Sequence, residues 1–400
     1  MTIITFLSLC SIFFMLAIGR LSGNKKIISP VYFFIFGMSF YFIIPIIIGE
    51  HYNLFSNVFF DNWLLTYNQV NFSDKILIIT FCFLLFLCFC FGFSLFNRGG
   101  KIKLVAPIST SSLYVFPIFI LSVFIWNMGK AYYFKGYSVD YNSEIMGKLA
   151  TLQILLLTFI FLTGKKNVKN YIYYSFIGIN SILLLSMGGR MYIILTVFSL
   201  LSFHYNNVSL QKKTIVYVII SLFVMVFVGL WRLDGVKFDL VSYIIFAEPV
   251  YTSFSLFSFV IHNGFDILNI PLNFFNSFLM SLPSFLIDKN EYLITVKQMG
   301  FNYDSPLGAT SLYVSLIANF GYLGSLFMMF IFGSILSLSR NSNRVYVQCF
   351  YFISCGVIPF MFFRDAFGIS IKVMFFNGLI VPMFVCILDG IVKKAINHRV

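Results

Sequence analysis

Residues 76–96, ILIITFCFLLFLCFCFGFSLF, contain no charged side chain. A helix of about 20 apolar residues crosses the hydrocarbon core of a bilayer. Because lipid offers no hydrogen-bond partners to the backbone, such a run predicts an α-helix rather than an open strand. The run is therefore predicted to be a transmembrane helix, and it indicates the fold class of a chain in which similar runs recur.

The whole chain has the composition of a membrane protein. It is 60% hydrophobic, against about 45–50% in soluble domains, with only 10% charged residues. We predict an all-α polytopic integral membrane protein, a single membrane domain over residues 1–400. Between ten and twelve transmembrane helices are expected, and cutting at the polar breaks gives about eleven: 3–19, 28–48, 76–96, 113–129, 149–163, 171–187, 191–205, 214–231, 321–339, 345–363 and 369–391.

Two features could suggest other assignments. The first run lacks a basic start and a small-residue cleavage site, so we predict a transmembrane helix there rather than a signal peptide. The seven cysteines all fall inside apolar runs and suit neither a zinc site nor a disulfide framework. We therefore predict no metal and no cofactor.

The basic residues indicate the orientation. Basic residues in short loops mark the cytoplasmic side, which predicts an N-terminus outside and a C-terminus inside. This placement also explains the net charge of +13 without a nucleic-acid partner. More than half of the 27 basic residues lie in alternate loops, namely Arg20, Lys25, Lys26, Arg98, Lys101, Lys103, Lys165, Lys166, Lys169, Lys212, Lys213, Arg340, Arg344, Lys393, Lys394 and Arg399.

The acidic residues point to chemistry on the outer face. Of the 14 acids, every one except Asp389 lies in or beside a predicted outer loop. The longest of these loops, residues 232–320, contains the aromatic segments FAEPVYTSFSLFSFVIHNGF and PLNFFNSFLMSLPSFLIDK. We predict interfacial or re-entrant helices in this loop, forming a lid over a cavity. The outer loop 49–75 is predicted to be a smaller part of the same cover.

Three arginines stand at outer helix ends, where the positive-inside bias disfavours them. They are Arg190 in SMGGRMYIIL, Arg232 in VGLWRLDG and Arg364 in MFFRDAFG. Each of them has an alternative role as an interfacial anchor that reaches toward lipid headgroups. Together they are a candidate anion site, because a guanidinium forks two donors onto phosphate oxygens.

Neighbouring residues support such a site. Asp365 is predicted to orient the Arg364 guanidinium when the site is empty. Gly188 and Gly189 let the chain turn tightly before Arg190 and bring backbone close to a ligand. We therefore predict a site for the pyrophosphate of a lipid-linked substrate.

Three stretches then resemble a known family. They are GGRMYIILTVFSLL, SPLGATSLYVSLIANFGYLGSLFMMFIFG and FFRDAFGIS. With the many-span plan and the large outer loop, they resemble the Wzy family of O-antigen (oligosaccharide repeat unit) polymerases. In that family, Arg190 would correspond to the glycine-arginine motif and Arg364 to the late arginine.

The resemblance implies a glycosyltransferase in the bacterial inner membrane. It would move a growing glycan from undecaprenyl pyrophosphate to an incoming lipid-linked repeat unit on the periplasmic face. The resemblance also implies a chain-length regulator as a partner. The outer loop 130–148 carries lysines and no arginine, which departs from family branches with arginine-rich motifs in two outer loops.

The attacking sugar hydroxyl benefits from a base within hydrogen-bond reach. Candidates are Glu248 and His262 in the long loop, followed by Asp234 and Asp304. Glu248 has the best setting, because it interrupts apolar sequence before a proline expected to end or turn the segment. Glu248 and His262 each have an alternative as ordinary polar residues of a helix end or loop, and positioning of two lipid-held substrates could replace a base.

Two other functions remain open at this point. A lipid-linked oligosaccharide flippase would need polar residues along a central path and usually two similar halves, whereas the charges here gather at one face. An O-antigen ligase would use the same donor and the same arginines with a different acceptor.

Overall fold

A computed structural model describes residues 2–21, 28–52, 60–97, 102, 111–135, 142–164, 170–205, 216, 223, 226–230, 241–264, 266–279, 282, 292, 295–306 and 310–397. Within these ranges the chain is helical and contains no strand. The all-α prediction is thus confirmed over the described part of the chain.

The helices run in the following chain order: α1 (Ile3–Leu21), α2 (Pro30–Glu50), α3 (Asp61–Gln69), α4 (Phe72–Leu95), α5 (Ser111–Met128), α6 (Ser143–Thr163), α7 (Asn170–Met187), α8 (Arg190–Tyr205), α9 (Val241–Asn263), α10 (Leu272–Leu279), α11 (Leu312–Arg340), α12 (Val345–Val357), α13 (Met361–Arg364), α14 (Phe367–Ile371) and α15 (Val381–Asn397). A π-helical turn, Ser39–Ile43, lies inside α2, and a second one, Lys372–Ile380, joins α14 to α15.

Several helices fit a multi-pass membrane protein. Seven are long and apolar enough to cross a bilayer, and three shorter apolar helices accompany them within the described residues. Every predicted span except 214–231 falls on a described helix, and most of that span lies outside the described residues. The count of eleven spans remains a prediction.

The chain falls into two compact units, each built from several segments. Unit 1 comprises residues 1–100, 239–338 and 358–372, and unit 2 comprises residues 101–238, 339–357 and 373–400. Unit 2 contains α6, α7 and α8, joined by a buried amide network in which Asn180 donates to Gln153 and Gln153 donates to Thr196. Polar bonds of this kind hold membrane helices together where apolar contacts cannot discriminate between helix and lipid.

In unit 1, two helices run in one direction and a third runs in the opposite direction. The start of α1 lies beside the end of α2, where Thr5 Oγ1 and His51 Nε2 are 3.0 Å apart. Lys75, in the first turn of α4, pairs with Glu50 at the same place, with Nζ and Oε1 3.5 Å apart. We call this the Glu50 end of unit 1. Because α1 and α4 both begin here and α2 ends here, α1 and α4 run antiparallel to α2.

The long segment predicted as an outer loop contains more regular structure than the sequence indicated. Its first part is the continuous helix α9, whose residues 243–263 are themselves long and apolar enough to cross a membrane. The prediction that Pro249 ends or turns this segment is wrong, because the helix runs through it. Proline removes one helical hydrogen bond, but the helix continues on both sides of Pro249.

The second part of the segment docks on a broken helix. Gly321, at φ 66°, interrupts α11, and the two amides that follow donate to the carbonyls of Asp266 and Ile267 at 2.8 and 3.2 Å. The next helix, α10, buries Asn273 and Ser277 and exposes 61% of Phe275. A short helix with its polar face inward and its apolar face outward suits hydrocarbon surroundings, and the interfacial or re-entrant placement of this segment stays a prediction.

Candidate functional site

The Arg364–Asp365 pair lies in a break within unit 1, between α13 and α14. The break packs against α2, where Phe363 meets Phe34 with ring centroids 5.0 Å apart. Gly37 makes this approach possible, because a Cβ there would lie 2.7 Å from the Pro359 carbonyl oxygen. The sequence therefore bends beside α2 and brings a charged pair onto the face that Gly37 leaves open.

Tyr41 stands one helical turn after Gly37 on the same face of α2. It is fully buried, and its hydroxyl donates to Glu248 Oε2 over 3.4 Å. Tyr41 also lies within electrostatic range of Arg364 and Asp365. Three separate segments of unit 1 thus contribute to one cluster, which we call the Tyr41 cluster: Tyr41, Glu248, Arg364 and Asp365.

The pKa of Asp365 reflects the charges of the cluster. Burial raises the pKa of its carboxyl to about 6, the Arg364 guanidinium opposes this shift, and the Glu248 carboxylate adds to it. Asp365 and Arg364 are both half-buried. A guanidinium and a second carboxylate thus both lie within electrostatic range of Asp365, and a guanidinium in such surroundings can exchange a carboxylate partner for an anionic ligand.

The position of the cluster along α2 gives its depth. Tyr41 precedes Glu50 by nine residues, which corresponds to about 14 Å of helix. The hydrocarbon core of a bilayer is about 30 Å thick, so a crossing α2 would hold the cluster well below its own end. Ionisable groups at such a depth are costly and usually mark a functional site.

The structure does not bring Glu248 and His262 together. They lie on one helix, 14 residues and about 21 Å apart. His262 is exposed, and its Nδ1 lies 2.7 Å from the Ser258 carbonyl oxygen of its own helix. Of the two predicted catalytic residues, only Glu248 belongs to the Tyr41 cluster.

Helix α3, from the smaller outer loop, packs along α9. Trp63 Nε1 donates to Ser253 Oγ over 3.0 Å, and Tyr67 packs edge-on against Phe257. Tyr67 also donates to Glu50 Oε1 over 2.5 Å, and the Lys75 Nζ lies 3.7 Å from the centre of its ring. Burial and the Glu50 carboxylate raise the pKa of Tyr67, so it remains a hydrogen-bond donor that ties α3 to the Glu50 end.

The other two predicted anion-binding residues are Arg190 and Arg232. Arg190 opens α8 in unit 2, directly after a tight turn in which Gly188 has φ 89° and Gly189 N–H donates to the Leu184 carbonyl over 2.7 Å. The predicted turn before Arg190 is therefore present. Arg232 and Asp234 lie outside the described residues.

Asp304 is exposed in the segment that follows the 3₁₀-helical turn Lys297–Met299. Its backbone N–H donates to Ser258 Oγ over 2.8 Å, which places it near His262 rather than near Glu248. Across the described ranges, no group of three or more His, Cys, Asp or Glu side chains is arranged to hold a metal ion.

Sequence reasoning missed Tyr41. It lies in the apolar run YFFIFGMSFYFIIPIII with no charged neighbour, so its pattern is that of a core residue. The one available signal was Gly37 four residues earlier, since a glycine in a membrane helix indicates close approach of another segment.

Comparison of the chain with known protein families, with curated proteins and with solved structures yields no match.

Proposed function

We propose that this chain is a glycosyltransferase that polymerises lipid-linked oligosaccharide repeat units at the periplasmic face of the bacterial inner membrane. The supporting observation is the Tyr41 cluster, which combines an arginine with a carboxylate base next to the middle of a membrane-length helix. The donor is a glycan on undecaprenyl pyrophosphate, and the acceptor is the terminal sugar of the incoming repeat unit.

In the proposed reaction, the acceptor hydroxyl oxygen attacks the anomeric carbon of the donor sugar. The new glycosidic bond forms as the bond between that carbon and the pyrophosphate oxygen breaks, and undecaprenyl pyrophosphate leaves with the electron pair. Glu248 takes the hydroxyl proton as general base. The products are a glycan longer by one repeat unit and a free lipid pyrophosphate.

Arg364 has the complementary role in this scheme. Negative charge develops on the pyrophosphate as the sugar leaves, and a fixed guanidinium stabilises it without reorganising at the moment of reaction. Asp365 pairs with Arg364 in the absence of substrate and gives way to the pyrophosphate when the donor binds. Arg190 and Arg232 remain predicted contributors to pyrophosphate binding.

The test is the surface glycan of a strain that lacks this chain. Loss of a polymerase is expected to leave single repeat units attached to the lipid core, and a plasmid copy should restore the ladder of longer chains. A ladder of unchanged length distribution contradicts the proposal. Complete loss of surface glycan indicates a ligase, and accumulation of unprocessed units inside the cell indicates a flippase.

The proposal also predicts a pH dependence of donor binding. Above pH 6 the Asp365 carboxylate is charged, so it competes with the pyrophosphate for Arg364; below pH 6 it becomes neutral. The affinity for an undecaprenyl pyrophosphate analogue should therefore fall by at most about thirtyfold between pH 5 and pH 7.5, the factor by which the neutral fraction of a carboxyl with a pKa of about 6 decreases over this range. Calorimetric titration of the protein in nanodiscs measures this change.

Asp365→Asn is the control for this experiment, since it removes the titrating group and keeps the side-chain shape. Its affinity should stay nearly constant across the same range and resemble that of the unmodified protein at pH 5. An equal pH dependence in both proteins would exclude Asp365 as the competing group.

A further inference from the structure

Tyr41 has a hydroxyl that the proposed reaction does not yet use. Its ring is fully buried, and its hydroxyl donates to Glu248 Oε2 over 3.4 Å. Hydrogen bonds at catalytic groups are often long before substrate binds and shorten in the reacting complex. The bond therefore joins the middle of α2 to the carboxylate on α9 that the proposal names as the base.

The backbone around Tyr41 is unusual as well. Residues Ser39–Ile43 form a π-helical turn, so α2 carries a local widening centred on this tyrosine. Single π-helical turns inside α-helices cost stability and occur frequently at functional sites. The close approach at Gly37, one turn earlier, brings the Arg364–Asp365 break to the same face.

A comparison within unit 1 shows that burial alone does not explain the bond. Tyr313 is equally buried, and among the residues that the structure describes its hydroxyl has no hydrogen-bond partner. The two tyrosines are therefore equally buried, and they differ in that the Tyr41 hydroxyl has an acceptor, the Glu248 carboxylate.

We propose that Tyr41 is a positioning residue for Glu248. This inference rests on the proposed function. Tyr41 holds Oε2, which fixes the carboxylate plane and leaves Oε1 to accept the proton of the sugar hydroxyl. Without this bond the carboxylate rotates about its side-chain torsions, and fewer encounters place an oxygen within reach of the hydroxyl.

The test uses purified protein in nanodiscs with lipid-linked repeat units as substrate. Tyr41→Phe should lower kcat about ten- to a hundredfold, the factor that one hydrogen bond to a charged group supports, while KM stays nearly unchanged. Tyr313→Phe is the matched control and should keep both constants. In a Glu248→Gln background, Tyr41→Phe should cause little further loss, because the residue acts through Glu248.

A second measurement does not depend on activity. Infrared difference spectra, with the Glu248 band assigned by its loss in Glu248→Gln, should show a shift of that band on Tyr41→Phe and none on Tyr313→Phe. If Tyr41→Phe does not fold, 3-fluorotyrosine at position 41 keeps the packing and strengthens the donor, and it should move the band in the opposite direction.

The outcomes separate the two proposals. An unmodified protein that does not lengthen glycans contradicts the polymerase proposal, and the infrared comparison still tests the bond. A polymerising protein whose kcat and Glu248 band are both unaffected at position 41 overturns the positioning role. A loss in kcat that is equally large in the Glu248→Gln background would also overturn it, since Tyr41 would then act independently of Glu248.

Discussion

Replacing Arg364 with glutamine is expected to convert the surface glycan from a ladder of long chains to single repeat units. Glutamine keeps hydrogen-bonding capacity but removes the charge that the proposed pyrophosphate leaving group would require. Removal of one group that stabilises transition-state charge costs about a hundred- to a thousandfold in rate. Gel analysis of the glycan from a complemented deletion strain measures the change.

Arg344→Gln is the matched control for this substitution. Arg344 is exposed, and its guanidinium donates to the Tyr346 hydroxyl over 2.9 Å. It lies in a predicted cytoplasmic loop, so its loss should leave the ladder unchanged. Comparable membrane levels of both variants, measured by immunoblot, exclude a folding defect.

Arg364→Lys separates charge from geometry. Lysine keeps the positive charge but cannot donate two parallel hydrogen bonds to a phosphate, so we expect shorter chains rather than none. A normal ladder from Arg364→Gln would remove Arg364 from the proposed site. Arg190→Gln in the same assay tests whether the second arginine contributes to the same step.

Much of the fold could be predicted because a transmembrane helix appears in the sequence as a continuous apolar run. The apolar runs that predict α1, α2 and α4 have few charges. These three helices begin and end within a few residues of the predicted bounds. The sequence of α9 does not indicate a continuous helix as clearly. Glu248, Pro249 and several serines lower its hydropathy, and the backbone is nevertheless helical throughout.

The members of the candidate site that could be predicted are those where charge interrupts apolar sequence. Arg364, Asp365 and Glu248 each stand out for this reason, and the structure brings these three together. Tyr41 could not be found in this way, because its role depends on the path of another segment across α2. The π-helical turns are likewise set by tertiary packing, and a local sequence pattern does not indicate them.

The separation of His262 from Glu248 has a simple geometric cause. Two residues of an interrupted loop can fold back onto one another, whereas residues 14 positions apart on one helix are held about 21 Å apart. Once the segment is known to be a continuous helix, Glu248 and His262 cannot serve the same sugar hydroxyl. This separation gives the pair opposite expected phenotypes.

Glu248→Gln is expected to reduce glycan polymerisation about a hundred- to ten-thousandfold, the contribution typical of a general base. Glutamine preserves the shape of the side chain, and its oxygen can still accept the bond from Tyr41, so the fold should be retained. His262→Gln should remain close to the unmodified protein, because the ring is exposed and contacts its own helix. Initial rates of chain extension in nanodiscs, with equal protein amounts, measure both variants.

The ratio of the initial rates of Glu248→Gln and His262→Gln shows which residue, if either, activates the sugar hydroxyl. A large loss from Glu248→Gln alone supports proton transfer to the Tyr41 cluster. Near-normal rates in both variants would mean that holding two lipid-linked substrates in the right orientation supplies the acceleration, as proximity can contribute about 7–11 kcal/mol without a base. A large loss from His262→Gln alone would move the reacting centre to the other end of α9, where Asp304 lies, and would leave Arg364 too distant to share it.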